Sequence, residues 1–129
     1  MAARSPSHPH TLAIDIGGTG LKALVLDARG KALTERTRVE TPRPATPRAI
    51  LGALTRLVRP LPQYHRVSVG FPGVVRAGTT RSAPNLHPTW AGFALADTLQ
   101  RRLGKPVRVL NDAGVQGYGV VRGKGVEMV

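Results

Sequence analysis

Cysteine is absent from all 129 residues. Neither a disulfide framework nor a thiolate metal site can form within them, which suits a reducing, cytoplasmic setting. Aromatic residues are scarce: one tryptophan, two tyrosines and two phenylalanines. Scattered as Tyr64, Phe71, Trp90, Phe93 and Tyr118, they offer no stacking platform for single-stranded nucleic acid. No stretch approaches the roughly 20 apolar residues needed to cross a bilayer, and residues 1–10 lack the apolar run of a secretory signal and read as a disordered tail. Acidic residues are few, seven against nineteen Lys and Arg, for a net charge of +12. Such an excess either forms an ordinary solvated face or attracts a polyanion: nucleic acid, polyphosphate or an acidic partner surface. Nucleic acid ranks last, because no helix-turn-helix or zinc-finger spacing accompanies the charge. What remains is a chain of one domain's length, 41% hydrophobic and able to bury a core.

The chain is organised around Asp15-Ile16-Gly17-Gly18-Thr19-Gly20-Leu21-Lys22, set between the apolar runs 11–14 and 21–26. Leu21 to Leu26 is short, contains the β-branched Val25 and stops at Asp27-Ala28-Arg29-Gly30, so it reads as a second strand and the glycines as a hairpin turn. A dinucleotide-binding glycine loop must open a helix, and a Walker A loop needs Gly-Lys-Ser/Thr; neither condition is met. Two readings stand for the turn. It either binds nothing, glycine being the default residue there, or holds a phosphate. In the second case backbone N–H groups, the Thr19 hydroxyl and Lys22 face the anion, and Asp15 at the strand end holds Mg²⁺ through water.

Lys31 to Glu40 alternates loosely and is expected as a third antiparallel strand, followed by the stiff loop Thr41-Pro42-Arg43-Pro44. Thr46 as N-cap, Pro47 at the first helical position and an apolar stripe of Ile50, Leu51, Leu54, Leu57 and Val58 predict a helix that Pro60 and Pro62 end. Residues 67–71 read as a buried strand entering Pro72-Gly73, either a plain turn or a place where a polar substrate reaches the backbone. Val74 to Thr79 looks like a short excursion. His87, Trp90 and Phe93 introduce a second helix carrying Leu95, Leu99 and Leu103, with Gly104 past its end. His87 reads as a surface or capping residue, and Trp90 as packing. The strand 107–110 delivers Asn111-Asp112 to its carboxyl end, either as a helix N-cap pair or as site residues facing the glycine hairpin. Residues 113–121, with three glycines, read as a weak helix, 123–125 as a turn and 126–129 as the start of a strand.

Four motifs now stand in order: the glycine stretch 15–22, Gly70-Phe71-Pro72-Gly73-Val74-Val75, Pro84-Asn85-Leu86 and Leu110-Asn111-Asp112-Ala113. Together they resemble the N-terminal lobe of the ROK family of sugar kinases, most closely its polyphosphate glucokinases, over residues 12–129. Gly114 departs from that subgroup, which usually repeats an acidic residue there. The resemblance implies a ribonuclease H-like (actin-like ATPase) α/β lobe over residues 11–129, a five-stranded mixed sheet of order 3-2-1-4-5 flanked by helices, with the C-terminal lobe absent. It implies Gly17, Gly18, Thr19 and Lys22 at the transferred phosphate and Asp15 near Mg²⁺. Asn111 and Asp112 would meet the sugar hydroxyls, with Asp112 as general base, and Pro72, Gly73 and Asn85 would line the sugar side. The implied reaction carries a phosphoryl group from polyphosphate or ATP to the 6-hydroxyl of glucose or a similar hexose, and the implied full-length form can be a homodimer. A lobe alone supplies one wall of the cleft, so an isolated lobe is expected to be inactive or nearly so. The competing reading is a non-catalytic lobe acting as a polyanion- or protein-binding module.

Overall fold

The computed structural model describes residues 8–111. Asp112 and the elements expected over 113–129 lie outside the described residues, as does most of the tail expected over residues 1–10. Within that tail, the His10 backbone N–H donates to His65 Nδ1 at 2.8 Å.

Alternation of apolar and polar residues sets the first strands. In β1 (Thr11–Ile16) Leu12, Ile14 and Ile16 are buried on one face, while Thr11, Ala13 and Asp15 are half-buried on the other. β2 (Gly20–Leu26) returns antiparallel, in a register that sets Asp15 opposite Lys22 and Ile16 opposite Leu21. β3 (Thr37–Glu40) pairs antiparallel with β2. Helix α1 (Pro47–Val58) starts as its cap requires, Thr46 accepting a hydrogen bond from the Ala49 N–H, and it buries the expected apolar stripe. β4 (Arg66–Phe71) lies parallel to β1.

Next come β5 (Val75–Arg76), β6 (Thr79–Thr80), a 3₁₀ turn over Pro88–Trp90 and β7 (Phe93–Ala94). Helix α2 (Leu95–Leu103) follows and is closed by Gly104 in the left-handed conformation, its N–H bonded to the Gln100 carbonyl. β8 (Val107–Asn111) is parallel to β4.

The main sheet runs β3-β2-β1-β4-β8, with β8 as its fifth strand, which is the expected order. Both parallel crossovers step the same way across the sheet, so right-handed connections bring α1 and α2 onto one face, where they touch each other. The core lies between them and that face. It is centred on Trp90 and Phe71, both fully buried, with ring centroids 5.0 Å apart. Trp90 is packing, as its sequence context suggests, and its indole N–H is satisfied by the Ala45 carbonyl at 2.8 Å.

Two expectations need correction. The third strand does not begin at Lys31. After one isolated bridge between Leu26 and Ala32, residues 33–36 leave the ladder because the Thr34 hydroxyl takes the Val25 N–H and Leu33 takes the Val25 carbonyl. The excursion after Gly73 is a second sheet of order β5-β6-β7. Its hairpin turns on Ala77 (φ 52°) and Gly78 (φ 79°), the paired positive φ values of a tight turn matched to strand twist. Buried Thr80 ties this sheet to the core through its hydroxyl, which donates to the Trp90 carbonyl at 2.6 Å.

Candidate functional site

β1, β4 and β8 are parallel, so their carboxyl ends share one edge, where ligands of open α/β sheets gather. The glycine hairpin stands at that edge. It is closed by Gly17 N–H donating to the Gly20 carbonyl at 3.0 Å. All three carbonyls of the turn are engaged from the segment 38–43. Gly17 O accepts from the Thr41 hydroxyl at 2.6 Å, and Gly18 O from Arg43 Nη2 at 3.0 Å. Thr19 O accepts from the Thr41 N–H at 3.1 Å and from Arg38 Nη2 at 3.2 Å. The N–H groups of Gly18 and Thr19 and the Thr19 hydroxyl make no hydrogen bond among the described residues. A turn whose acceptors are all occupied and whose donors are open attracts an anion.

The glycines serve this turn through space. Gly17, Gly18 and Gly20 all have negative φ. A Cβ on Gly18 would come within 2.9 Å of Asn85 Cβ, and one on Gly20 within 2.6 Å of the Arg38 guanidinium. Asn85, expected on the sugar side, therefore packs directly on the turn. Between them opens a groove of ≈ 730 Å³, lined by Gly18, Thr19 and Arg43 on one side and by Asn85, Leu86 and His87 on the other.

Asp15 and Lys22 form a cross-strand pair and face away from the core; neither lines the groove. The Asp15 carboxylate makes no hydrogen bond or ion pair among the described residues. No group of three or more His, Cys, Asp or Glu that could cage a metal exists among them. One open carboxylate beside a turn with open N–H donors fits the habit of Mg²⁺, which keeps most of its waters and takes one or two carboxylates plus substrate oxygens. At the strand ends expected to face the sugar, Asn111 Nδ2 donates to the Gly73 carbonyl at 2.9 Å, joining the end of β8 to the turn after β4, with half-buried Pro72 preceding it. The expected site residues thus fall into three sets: Gly17, Gly18, Thr19 and Asn85 at the hairpin and its groove; Asp15 and Lys22 on the sheet face; Pro72, Gly73 and Asn111 at the strand ends. Asp112 lies outside the described residues.

Arg38, Thr41 and Arg43 were not singled out from the sequence. Their signal was a pair of arginines on the strand and stiff loop that follow the hairpin, where β2–β3 pairing returns the chain to the turn.

The ROK family model matches residues 11–123. The chain belongs to the ROK family. Among ROK proteins it is 35% identical over 115 residues to the polyphosphate glucokinase of Mycobacterium tuberculosis, covering 88% of this chain and 43% of that one. The solved inorganic polyphosphate/ATP-glucomannokinase from Arthrobacter sp. strain KM superposes with a TM-score of 0.79 at 40% identity, over 88% of this chain and 48% of that one. A ROK family glucokinase from Streptomyces griseus, solved in complex with glucose and AMPPNP, gives 0.75 at 33% identity, over 88% of this chain and 36% of that one. The chain thus spans less than half the length of these ROK relatives, and its five-stranded lobe has the actin-like ATPase fold.

Proposed function

We propose that residues 11–129 are the N-terminal lobe of a cytoplasmic hexose kinase that moves a phosphoryl group from polyphosphate or ATP to the 6-hydroxyl of glucose. The observation that carries this reading is the hairpin whose carbonyls are all held by residues 38–43 while the Gly18 and Thr19 N–H groups stay open. Gly17, Gly18, Thr19 and Lys22 hold the transferred phosphate, and Asp15 would hold Mg²⁺. Bound Mg²⁺ supplies charge neutralisation for the phosphate oxygens. Pro72, Gly73, Asn85 and Asn111 position the sugar.

Asp112 orients the 6-hydroxyl toward phosphorus and accepts its proton as the new O–P bond forms and the bond to the donor's bridging oxygen breaks. In a loose transition state the proton leaves late, so an ordinary carboxylate with pKa near ~4 suffices, and orientation matters more than basicity. Water must be excluded from both sides of such a cleft, and the 129 residues alone supply one wall. Purified as they stand, they should bind hexose and donor weakly and turn over little.

A sugar-dependent kinase assay, run separately with ATP and polyphosphate on this chain and on a form extended to a relative's length, tests the reading. Glucose phosphorylation by the extended form alone supports it. No hexose-dependent transfer by either form would leave the second reading, a non-catalytic polyanion- or protein-binding module, which draws on the net charge of +12.

A further inference from the structure

The groove beside the hairpin has a chemistry that a site for one terminal phosphate does not require. Among the described residues that line it none is acidic. Arg43, exposed on one wall, spends one N–H on the Gly18 carbonyl and keeps its remaining donors. On the other wall His87 caps the 3₁₀ turn, its Nδ1 accepting the Thr89 N–H at 3.2 Å. The same Nδ1 lies 2.7 Å from the Thr89 hydroxyl, so the cap occupies that nitrogen and leaves Nε2 without a partner among the described residues. Asn85 adds its amide and Thr19 its hydroxyl.

The walls are fixed to each other. The Ala45 carbonyl, two residues past Arg43, accepts both the His87 N–H at 3.2 Å and the Trp90 indole N–H at 2.8 Å. The donors are therefore held in place before any ligand arrives, which lowers the ordering cost of binding. Apolar small-molecule pockets are enclosed and greasy; this one is open and basic.

We propose that this groove is a subsite for the phosphoryl groups that follow the terminal one in an extended phosphate chain, with Arg43 and His87 gripping it from opposite walls. The proposal rests on the kinase reading for the donor's orientation, with its terminal phosphate at Gly18 and Thr19, and on the groove itself for the subsite.

The test titrates the 129-residue chain with long-chain inorganic polyphosphate, ATP and inorganic phosphate in separate arms, and with glucose in a fourth. Three variants are compared: Arg43→Gln, which keeps an N–H for the Gly18 carbonyl; His87→Asn, which keeps the cap; and Arg101→Ala, an equal loss of charge on α2. Arg43→Gln should weaken polyphosphate about tenfold, the value of one charge-assisted hydrogen bond, and flatten its salt dependence. His87→Asn should weaken it less, and Arg101→Ala should leave it unchanged. Inorganic phosphate should be indifferent to His87→Asn.

Parallel loss of ATP binding assigns the groove to any phosphate chain, and an unaffected ATP arm assigns it to the linear polymer; either supports the subsite. Equal weakening by Arg101→Ala, no change with Arg43→Gln in a variant of unaltered melting temperature, or single-stranded DNA competing as well as polyphosphate overturns it. If the form extended to a relative's length transfers no phosphoryl group to hexose while the Arg43 effect persists, the kinase reading falls and the subsite stands. If glucose binds and polyphosphate ignores both groove variants, the reverse holds.

Discussion

Asn85 stands so close over Gly18 that a methyl group on the glycine would come within 2.9 Å of the Asn85 Cβ. The contact joins the hairpin between β1 and β2 to the loop before the 3₁₀ turn, elements more than sixty residues apart in sequence. It makes the width of the groove a property of one missing side chain.

Gly18→Ala should therefore push the two walls apart. Overpacking of this kind costs about 1–3 kcal/mol, and polyphosphate affinity should fall with it. Gly20→Ala should cost less, because the atoms it meets are the far end of the flexible Arg38 side chain. Urea unfolding and polyphosphate titration of both variants check the order; equal costs would mean that Asn85 yields as easily as Arg38.

Thr41 is buried and its hydroxyl donates to the Gly17 carbonyl at 2.6 Å. Thr41→Val keeps the shape and removes that donor, leaving the carbonyl to water or to nothing. A loss of about 1–2 kcal/mol is expected, together with weaker anion binding. Thr41→Ser should restore most of both, which separates the hydrogen bond from the packing.

Trp90→Phe removes the indole N–H that holds the Ala45 carbonyl and leaves a void against Phe71 and Phe93. Destabilisation of about 2–4 kcal/mol should appear in denaturant unfolding followed by circular dichroism. Because the two groove walls meet at Ala45, polyphosphate affinity should drop even under conditions where the variant is fully folded.

The Asp27 carboxylate lies below its ordinary value of 3.8, chiefly because it accepts the Lys31 N–H and also that of Arg29. A group depressed on folding stabilises the native state above its unfolded pKa and loses that effect as pH falls through the folded one. Asp27→Asn, which keeps an acceptor oxygen without the charge, should melt lower than the parent at neutral pH. The difference should shrink as pH is taken below 3.8. A gap that stays constant into acid would assign the effect to shape alone.

For the proposed base, Asp112→Asn in a form of the protein that turns over should retain part of its glucose binding and lose phosphorylation. Steady-state assay alongside calorimetric glucose titration reads both quantities. Near-normal turnover would remove Asp112 from the role.

The elements legible in the sequence are those whose signals are local. Thr46-Pro47 ahead of an apolar stripe marked the start of α1, the glycine after Leu103 marked the end of α2, and short apolar runs on either side of a glycine turn marked β1 and β2. The strand order 3-2-1-4-5 was legible too, through resemblance to ROK proteins. The early end of β3 was not, because it depends on the Thr34 hydroxyl reaching the Val25 N–H. The three-stranded sheet was missed for a similar reason: its hairpin uses Ala77 at positive φ, where sequence signals ask for Asn, Asp or Gly.

By itself, then, the sequence determined the element on which the proposed anion site rests: a glycine turn between two strands, with a carboxylate before it and a lysine after it. Only the tertiary structure decided how that turn is armed. Its three carbonyls are occupied by Arg38, Thr41 and Arg43, and its far wall comes from Asn85 and His87, because β2–β3 pairing and the Ala45 contacts bring those segments to the hairpin. Composition registers a charge of +12 but carries no direction; folding alone turns part of that charge toward one groove.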